Sequence, residues 1–250
     1  MTPSRAFPRV SAAQTEAVIL CAGLGKRLRP LTLHVPKALV PVGGRPLLDL
    51  HLEALAREGV SRTILVVGHL ADKVREHVGD GRRFGLSVEY VTQELLGGTG
   101  DALRVVERHI RSERMVVIYP DAYFGPDPDL VPRLFEKEGA KIAAAEVPDA
   151  GSYGRLKVEE RDGGLYLLDI QEKDGRATPG LINAGAYLLP RGIFRMLERV
   201  GISLRGELEL TDAVVRLARE LEPVRVVKVP LWVDIGTPEQ LVAAQTLGSS

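Results

Sequence analysis

Between residues 17 and 146, short apolar runs alternate with longer stretches of helical periodicity, and this alternation constrains the fold more than any one motif. The expected order is strand 17–21, helix 45–58, strand 63–67, helix 70–78, strand 88–91, helix 100–110, strand 115–118, helix 128–138 and strand 142–146. That is the rhythm of a mostly parallel sheet covered by helices. In such sheets ligands sit beyond the C-terminal strand ends, where the loops Ala22–Arg27, Gln93–Gly100 and Pro120–Tyr123 fall.

After residue 146 the strands become shorter and are broken by Gly, Asp and Pro, near 155–159, 165–170 and 185–189. Helices at 191–199 and 207–221, a strand at 224–229 and a last helix at 238–246 follow. Thr237 is the expected N-cap of that last helix, with Pro238 in its first position. The predicted fold class is α/β: a single-domain, Rossmann-like, mostly parallel sheet flanked by helices, with a β-rich insertion in the second half. Residues 1–15 are expected to be a flexible tail. Residues 16–250 would form the domain, with 16–146 as one half and 147–250 as the other.

The 33 basic and 33 acidic residues give a formal net charge of zero. A nucleic-acid binder usually carries a basic excess, so any phosphate-bearing partner is expected to be a small molecule in a locally positive pocket. Cys21, the only cysteine, lies in an apolar run and reads as a core packer. No secretory h-region and no membrane-spanning run is present in the sequence, so a cytoplasmic location is expected. The five histidines lack zinc-type spacing and read as surface or satisfied structural residues. Asn183 is the only asparagine.

Leu20-Cys21-Ala22-Gly23-Leu24-Gly25-Lys26-Arg27 runs from an apolar strand into a glycine turn carrying two cations. Such a turn exposes backbone N–H groups on one concave side, and Lys26 and Arg27 add full charge, which suits a triphosphate. It is not a P-loop, because Leu20 and Arg27 stand where that motif needs Gly and Ser or Thr. Asp121 and Asp234 both follow strands, where a carboxylate can hold a hard cation or simply form a turn. Gln93, with Gly98 and Thr99, offers an amide and a bare backbone that could read a base edge, and Thr99 is expected to cap the helix after it. Tyr153-Gly154, Glu172-Lys173 and Asn183-Ala184-Gly185 form a second set, suited to a phosphorylated, hydroxyl-rich ligand. Taken singly, Glu172-Lys173 reads as a solvated pair and Asn-Ala-Gly as a turn.

With these residues in order, the chain resembles the sugar-1-phosphate nucleotidylyltransferases. The signature is the glycine-rich loop Ala22–Arg27, then Pro30-Leu31-Thr32 and Pro36-Lys37-Ala38-Leu39-Val40-Pro41. Gln93 with Gly98-Thr99, Asp121, Tyr153-Gly154, Glu172-Lys173, Asn183–Gly185, Gly206–Asp212 and Trp232–Thr237 continue it, from about residue 16 to 246.

The resemblance implies an enzyme that joins a nucleoside triphosphate, UTP or dTTP before GTP, to a sugar 1-phosphate, releasing pyrophosphate with Mg2+ as cofactor. It implies that Leu20, Ala22, Gly23, Gly25, Lys26, Arg27, Gln93, Gly98 and Thr99 bind the nucleotide. Tyr153, Gly154, Glu172, Lys173 and Asn183 would bind the sugar phosphate, making the second half the sugar-binding insertion. Asp121 and Asp234 would hold the metal, and Arg27, Lys37, Asp121, Lys173 and Asp234 would form the catalytic set. Relatives of that family commonly self-associate, which makes a homo-oligomer an expectation too.

Two departures stand out: Pro120 where the family often has Gly, and Ala22-Gly23 where many relatives have two glycines. No β-helical tail follows residue 246, so an appended acyltransferase is not expected. The alternatives are a non-catalytic nucleotide-sugar-binding regulatory subunit and a cytidylyltransferase for an alcohol phosphate.

Overall fold

The computed structural model of the chain describes residues 11–125, 130–172 and 175–248. Lys173, and the start of the helix expected from residue 128, lie outside the described residues. The first part of the chain forms β1 (Glu16–Leu20), β2 (Pro41–Val42), β3 (Arg45–Pro46), α1 (Leu47–Arg57), β4 (Arg62–Val67), α2 (Ala71–Val78) and β5 (Ser87–Thr92). Then come α3 (Thr99–Arg104), β6 (Arg114–Ile118), β7 (Ala122–Tyr123), α4 (Leu130–Phe135) and β8 (Ala140–Val147). The remainder is β9 (Arg155–Arg161), β10 (Gly164–Gln171), β11 (Gly180–Pro190), α5 (Ile193–Leu197), α6 (Leu210–Glu220), β12 (Val224–Lys228), β13 (Val233–Asp234) and α7 (Pro238–Gly248).

Nine strands form one sheet in the order β5-β4-β1-β6-β11-β8-β12-β10-β9. β11 and β10 run against the other strands, so the sheet is mostly parallel in direction. The β-rich second half is no separate layer: the β9–β10 hairpin extends the far edge of the same sheet, and β9 curls back to meet β11 at Arg155 and Ile182.

β1 explains why the sheet is covered on both faces. Val18 and Leu20 enter a core with Leu103, Phe194, Val214 and Leu217 from α3, α5 and α6. Ala17, Ile19 and Cys21 enter the opposite core with Leu48, Leu52, Val74 and Leu134 from α1, α2 and α4. Period-2 alternation between two apolar layers makes every side chain of β1 an inward one, as the unbroken run Ala17–Cys21 implies.

Several local expectations are corrected. The helix expected from residue 45 begins at Leu47, because Arg45–Pro46 pairs as a strand with Pro41–Val42 and Pro46 then stands at the N-cap. The helix expected over 100–110 stops at Arg104 and resumes only as a short turn at Glu107–His109, after two β-branched valines. Asn183-Ala184-Gly185 is not a turn between strands but a bulge inside β11, where the register against β8 shifts between Asn183 and Tyr187. Gly185 takes the left-handed φ of 78°, and its N–H donates to Asn183 Oδ1 at 3.0 Å. His51 is not exposed and only partly satisfied: it is buried beside Phe124 with backbone hydrogen bonds at Pro120 and Ala122, its Nε2 has no partner among the described residues, and burial pushes its imidazole down to about 4.

Candidate active site

β1 ends at Leu20 and the chain leaves the sheet through the glycine turn. Gly25 has a φ of 59°, and a Cβ there would lie 2.9 Å from Thr32 Cγ2. The Thr32 hydroxyl donates to the Gly25 carbonyl at 2.7 Å, closing the loop on the next turn. Gly23 has a φ that is not positive, and nothing lies within 4 Å of a Cβ placed there. It leaves open space beside a cavity of about 480 Å3. Leu20, Ala22, Gly23, Gly25, Lys26, Arg27, Lys37, Gln93, Gly98, Thr99 and Asp121 all line that cavity, so the predicted nucleotide set comes together in one place.

Gly98 carries a φ of 101°, and a Cβ on it would lie 2.6 Å from the Leu208 carbonyl, so only glycine fits the loop against that segment. Thr99 does not cap its own helix, whose N-cap is Gly98. Its hydroxyl instead accepts the Leu210 N–H at 3.1 Å and caps α6, 111 residues along the chain. Thr237 behaves as expected, accepting the Gln240 N–H at 3.4 Å at the start of α7.

Asp121 and Asp234 are brought together by the small β7–β13 ribbon, in which Asp234 faces Ala122 and the Ile235 N–H donates to the Asp121 carbonyl at 2.8 Å. Lys37 Nζ pairs with Asp121 Oδ2, and Arg27 Nη2 lies 3.5 Å from Asp234 Oδ2. Burial, then the neighbouring Asp121 charge, push the Asp234 carboxyl upward, against the opposing pull of Lys37 and Arg27. Asp121, directly after Pro120, reaches Lys37 and lines both cavities. Among the described residues no group of three or more His, Cys, Asp or Glu side chains is placed to hold a metal ion. The carboxylate pair fits magnesium nonetheless, because that ion takes one or two protein carboxylates and completes its shell with water and phosphate oxygens.

A second cavity, of about 270 Å3, adjoins the first, and Arg27, Thr99, Tyr119, Asp121 and Glu207 border both. Tyr153, Gly154, Glu172, Asn183 and Asp234 line it. The β11 bulge positions Asn183, whose amide donates to the Tyr187 hydroxyl at 2.6 Å. Trp232 closes one wall, its indole N–H on the Ala184 carbonyl at 2.9 Å and its ring edge-on to Tyr153 at 5.2 Å.

Arg205 also lines this cavity, with Nη2 2.8 Å from Glu209 Oε1 and 3.5 Å from Glu172 Oε2. Arg205 and Tyr119 were not singled out in the sequence, and Glu207 only as part of the Gly206–Asp212 segment. For Arg205 the available signal was its place directly before the Gly206–Asp212 segment. No helix among the described residues is long and apolar enough to cross a membrane.

Fold and site together define an α/β protein whose loops gather cations and carboxylates around a two-part pocket. Residues 16–248 match the Nucleotidyl transferase family, and the chain belongs to that family. It is 32% identical over 230 residues to the Bifunctional protein GlmU of Methanocaldococcus jannaschii, covering 92% of this chain and 53% of that protein. It is also 32% identical over 236 residues to the glucose-1-phosphate thymidylyltransferase of Streptomyces griseus, covering 93% of this chain and 65% of that one. The chain thus spans about half the length of the first of these relatives. A Bacillus anthracis crystal structure assigned as a glucose-1-phosphate thymidylyltransferase superposes with a TM-score of 0.79 at 30% identity, over 94% of this chain and 96% of that one.

Proposed function

We propose that this chain is a sugar-1-phosphate nucleotidylyltransferase, joining UTP or dTTP to a sugar 1-phosphate to give a nucleotide sugar and pyrophosphate, with magnesium as its cofactor. The observation that carries the reading is the pair of cavities meeting at Asp121 and Arg27, one lined by the glycine turn and the other by amide, carboxylate and aromatic side chains. The activity named for the Streptomyces griseus relative agrees with it.

A phosphate monoester with a second pKa near ~6 is largely a dianion at neutral pH, so the sugar phosphate can attack the α-phosphorus without a general base. The remaining difficulty is bringing two polyanions together in line. The turn N–H groups, Lys26 and Arg27 would hold the triphosphate, and Lys37 would neutralise charge at the reacting phosphorus. Magnesium, held by Asp121 and Asp234, would neutralise phosphate charge there as well. Lys173, by resemblance, and Arg205, by its place in the second cavity, would hold the sugar phosphate, while Glu172 and Asn183 would bind its hydroxyls. Gln93 and Gly98 would read the base.

The test is pyrophosphate release from a panel of triphosphates and sugar 1-phosphates. Release with a matched pair, dependent on magnesium, is expected. Binding of a nucleotide sugar with no release under any pair would make the chain a regulatory subunit. Turnover with an alcohol phosphate in place of the sugar would make it a cytidylyltransferase.

A further inference from the structure

Gln93 is an unusual candidate for reading a base, because its donors are already taken. Its Nε2 donates to Asp101 Oδ2 at 2.8 Å and to the Gly98 carbonyl at 3.2 Å. Both partners are acceptors only, so the amide cannot be turned over without setting its oxygen against a carboxylate. Asp101 is 8% exposed, Gln93 is 5% exposed, and the other Asp101 oxygen accepts from Arg104 Nη2 at 2.6 Å. Arg104 sits one turn along α3, and Asp101 is therefore clamped from both sides. Gln93 lines the nucleotide cavity and Asp101 does not. No described residue donates to Gln93 Oε1 in the hydrogen bonds of the site, which leaves the amide oxygen as the group offered to a ligand.

We infer that Asp101 is a specificity-determining positioning residue: it pins the Gln93 carboxamide so that only its oxygen faces the base, favouring rings that present an N–H over rings that present a lone pair. The inference rests on the transferase reading and on Gln93 as the base reader. Uracil and thymine carry N3–H, and guanine carries N1–H. Cytosine and adenine carry bare lone pairs at the corresponding ring nitrogens, where a fixed acceptor would meet another acceptor. A freely turning glutamine would offer its NH2 to those rings and lose the distinction. Asp101 touches no substrate and acts through Gln93.

The experiment compares wild type with Asp101→Asn, which keeps the side-chain shape but can either donate or accept. Pyrophosphate release is measured with UTP, dTTP and CTP at a fixed sugar 1-phosphate, and equilibrium binding of the same triphosphates is measured without it. The wild type is expected to prefer UTP over CTP. Asp101→Asn should lower that preference about tenfold or more in kcat/KM and in binding, leaving the UTP to dTTP ratio within about twofold because the two share one imide edge. An unchanged UTP to CTP ratio, an equal loss with all three triphosphates, or a wild type that prefers CTP overturns the inference. Asp101→Ala, read by the same ratios, serves where the first variant folds poorly. A wild type that binds UTP over CTP but releases no pyrophosphate defeats the transferase reading, and the binding ratios still decide the role of Asp101.

Discussion

The two ends of the sheet both bury carboxylates beside cations, but they treat them in opposite ways. At the N-terminal end, Glu16 Oε2 accepts the N–H groups of Arg111 at 2.6 Å and Ser112 at 2.9 Å and the Ser112 hydroxyl at 3.0 Å, while Arg62 holds Oε1. Arg62 also pairs with Glu89, which takes His109 Nδ1 at 2.5 Å, so the network closes on itself. At the C-terminal end, Asp121 has Lys37, and Asp234 has the half-open Arg27 3.5 Å away. There the two carboxylates repel, and Asp234 is pushed upward as a result of burial and that repulsion. One end is complete without a ligand. The other keeps two repelling carboxylates, one of them only loosely paired, beside a cavity lined by Lys26, Arg27 and Lys37, the arrangement expected of a site that gains a metal ion and phosphate oxygens on binding.

The largest effects should therefore separate activity from stability. Asp121→Asn is expected to lower magnesium-dependent pyrophosphate release roughly a thousandfold, since metal-ion charge stabilisation is worth several kcal/mol. Its urea midpoint should stay close to wild type, because relief of the like-charge contact with Asp234 offsets the lost ion pair to Lys37. Near-normal rates would show that Asp121 is no metal ligand. Glu16→Gln should do the reverse, costing about 3 kcal/mol by leaving Arg62 partly unpaired in a buried setting. Its turnover per folded molecule should be unchanged, and a specific loss of activity would mean that the two ends are coupled.

The contrast also explains what could be read in advance. Alternation of apolar runs was enough to place β1, β4, β6 and β8 and the loops at their ends, because buried parallel strands leave that signature locally. The predicted site residues among those described do line two adjoining cavities. What escaped was long-range partnership. Thr99 looks like a local cap, yet its partner is Leu210, and nothing in the sequence around residue 99 names α6. Arg205 looks like one more surface cation until the Gly98 and Leu208 segments pack together and set it facing Glu172. The bulge at Asn183 was hidden because Asn-Ala-Gly has the composition of a turn whether it ends a strand or kinks one.

A finer cut lies within the open end itself. Arg205→Ala is expected to raise KM for the sugar 1-phosphate about tenfold while leaving triphosphate KM within about twofold, and Lys173→Ala should act in the same direction with a further fall in kcat. Steady-state kinetics with each substrate varied in turn measures this. If triphosphate affinity alone collapsed, the division of the pocket into nucleotide and sugar-phosphate sides would be wrong.

The smallest effect belongs to an exception at the closed end. Lys141 on β8 is buried with no carboxylate among the described residues bonded to it, its Nζ donating to the Lys137 carbonyl and, at 3.4 Å, to that of Gly139. Burial pushes its ammonium down to about 8, helped by Arg114 and Arg225 and opposed by Glu222 and Glu136. Between about pH 8 and the ordinary lysine value near ~10.4, the unfolded chain binds more protons than the folded one, so this residue's contribution makes stability rise with pH across that window. Below about pH 8 both states are protonated and the penalty is constant. Lys141→Met should remove the penalty, raising stability at pH 7 by on the order of 1 kcal/mol, with the advantage shrinking towards pH 10. Urea midpoints of both proteins at the two pH values measure it. A difference that does not change with pH would show that the carbonyls already replace water around this ammonium, and that the closed end of the sheet holds no unbalanced charge.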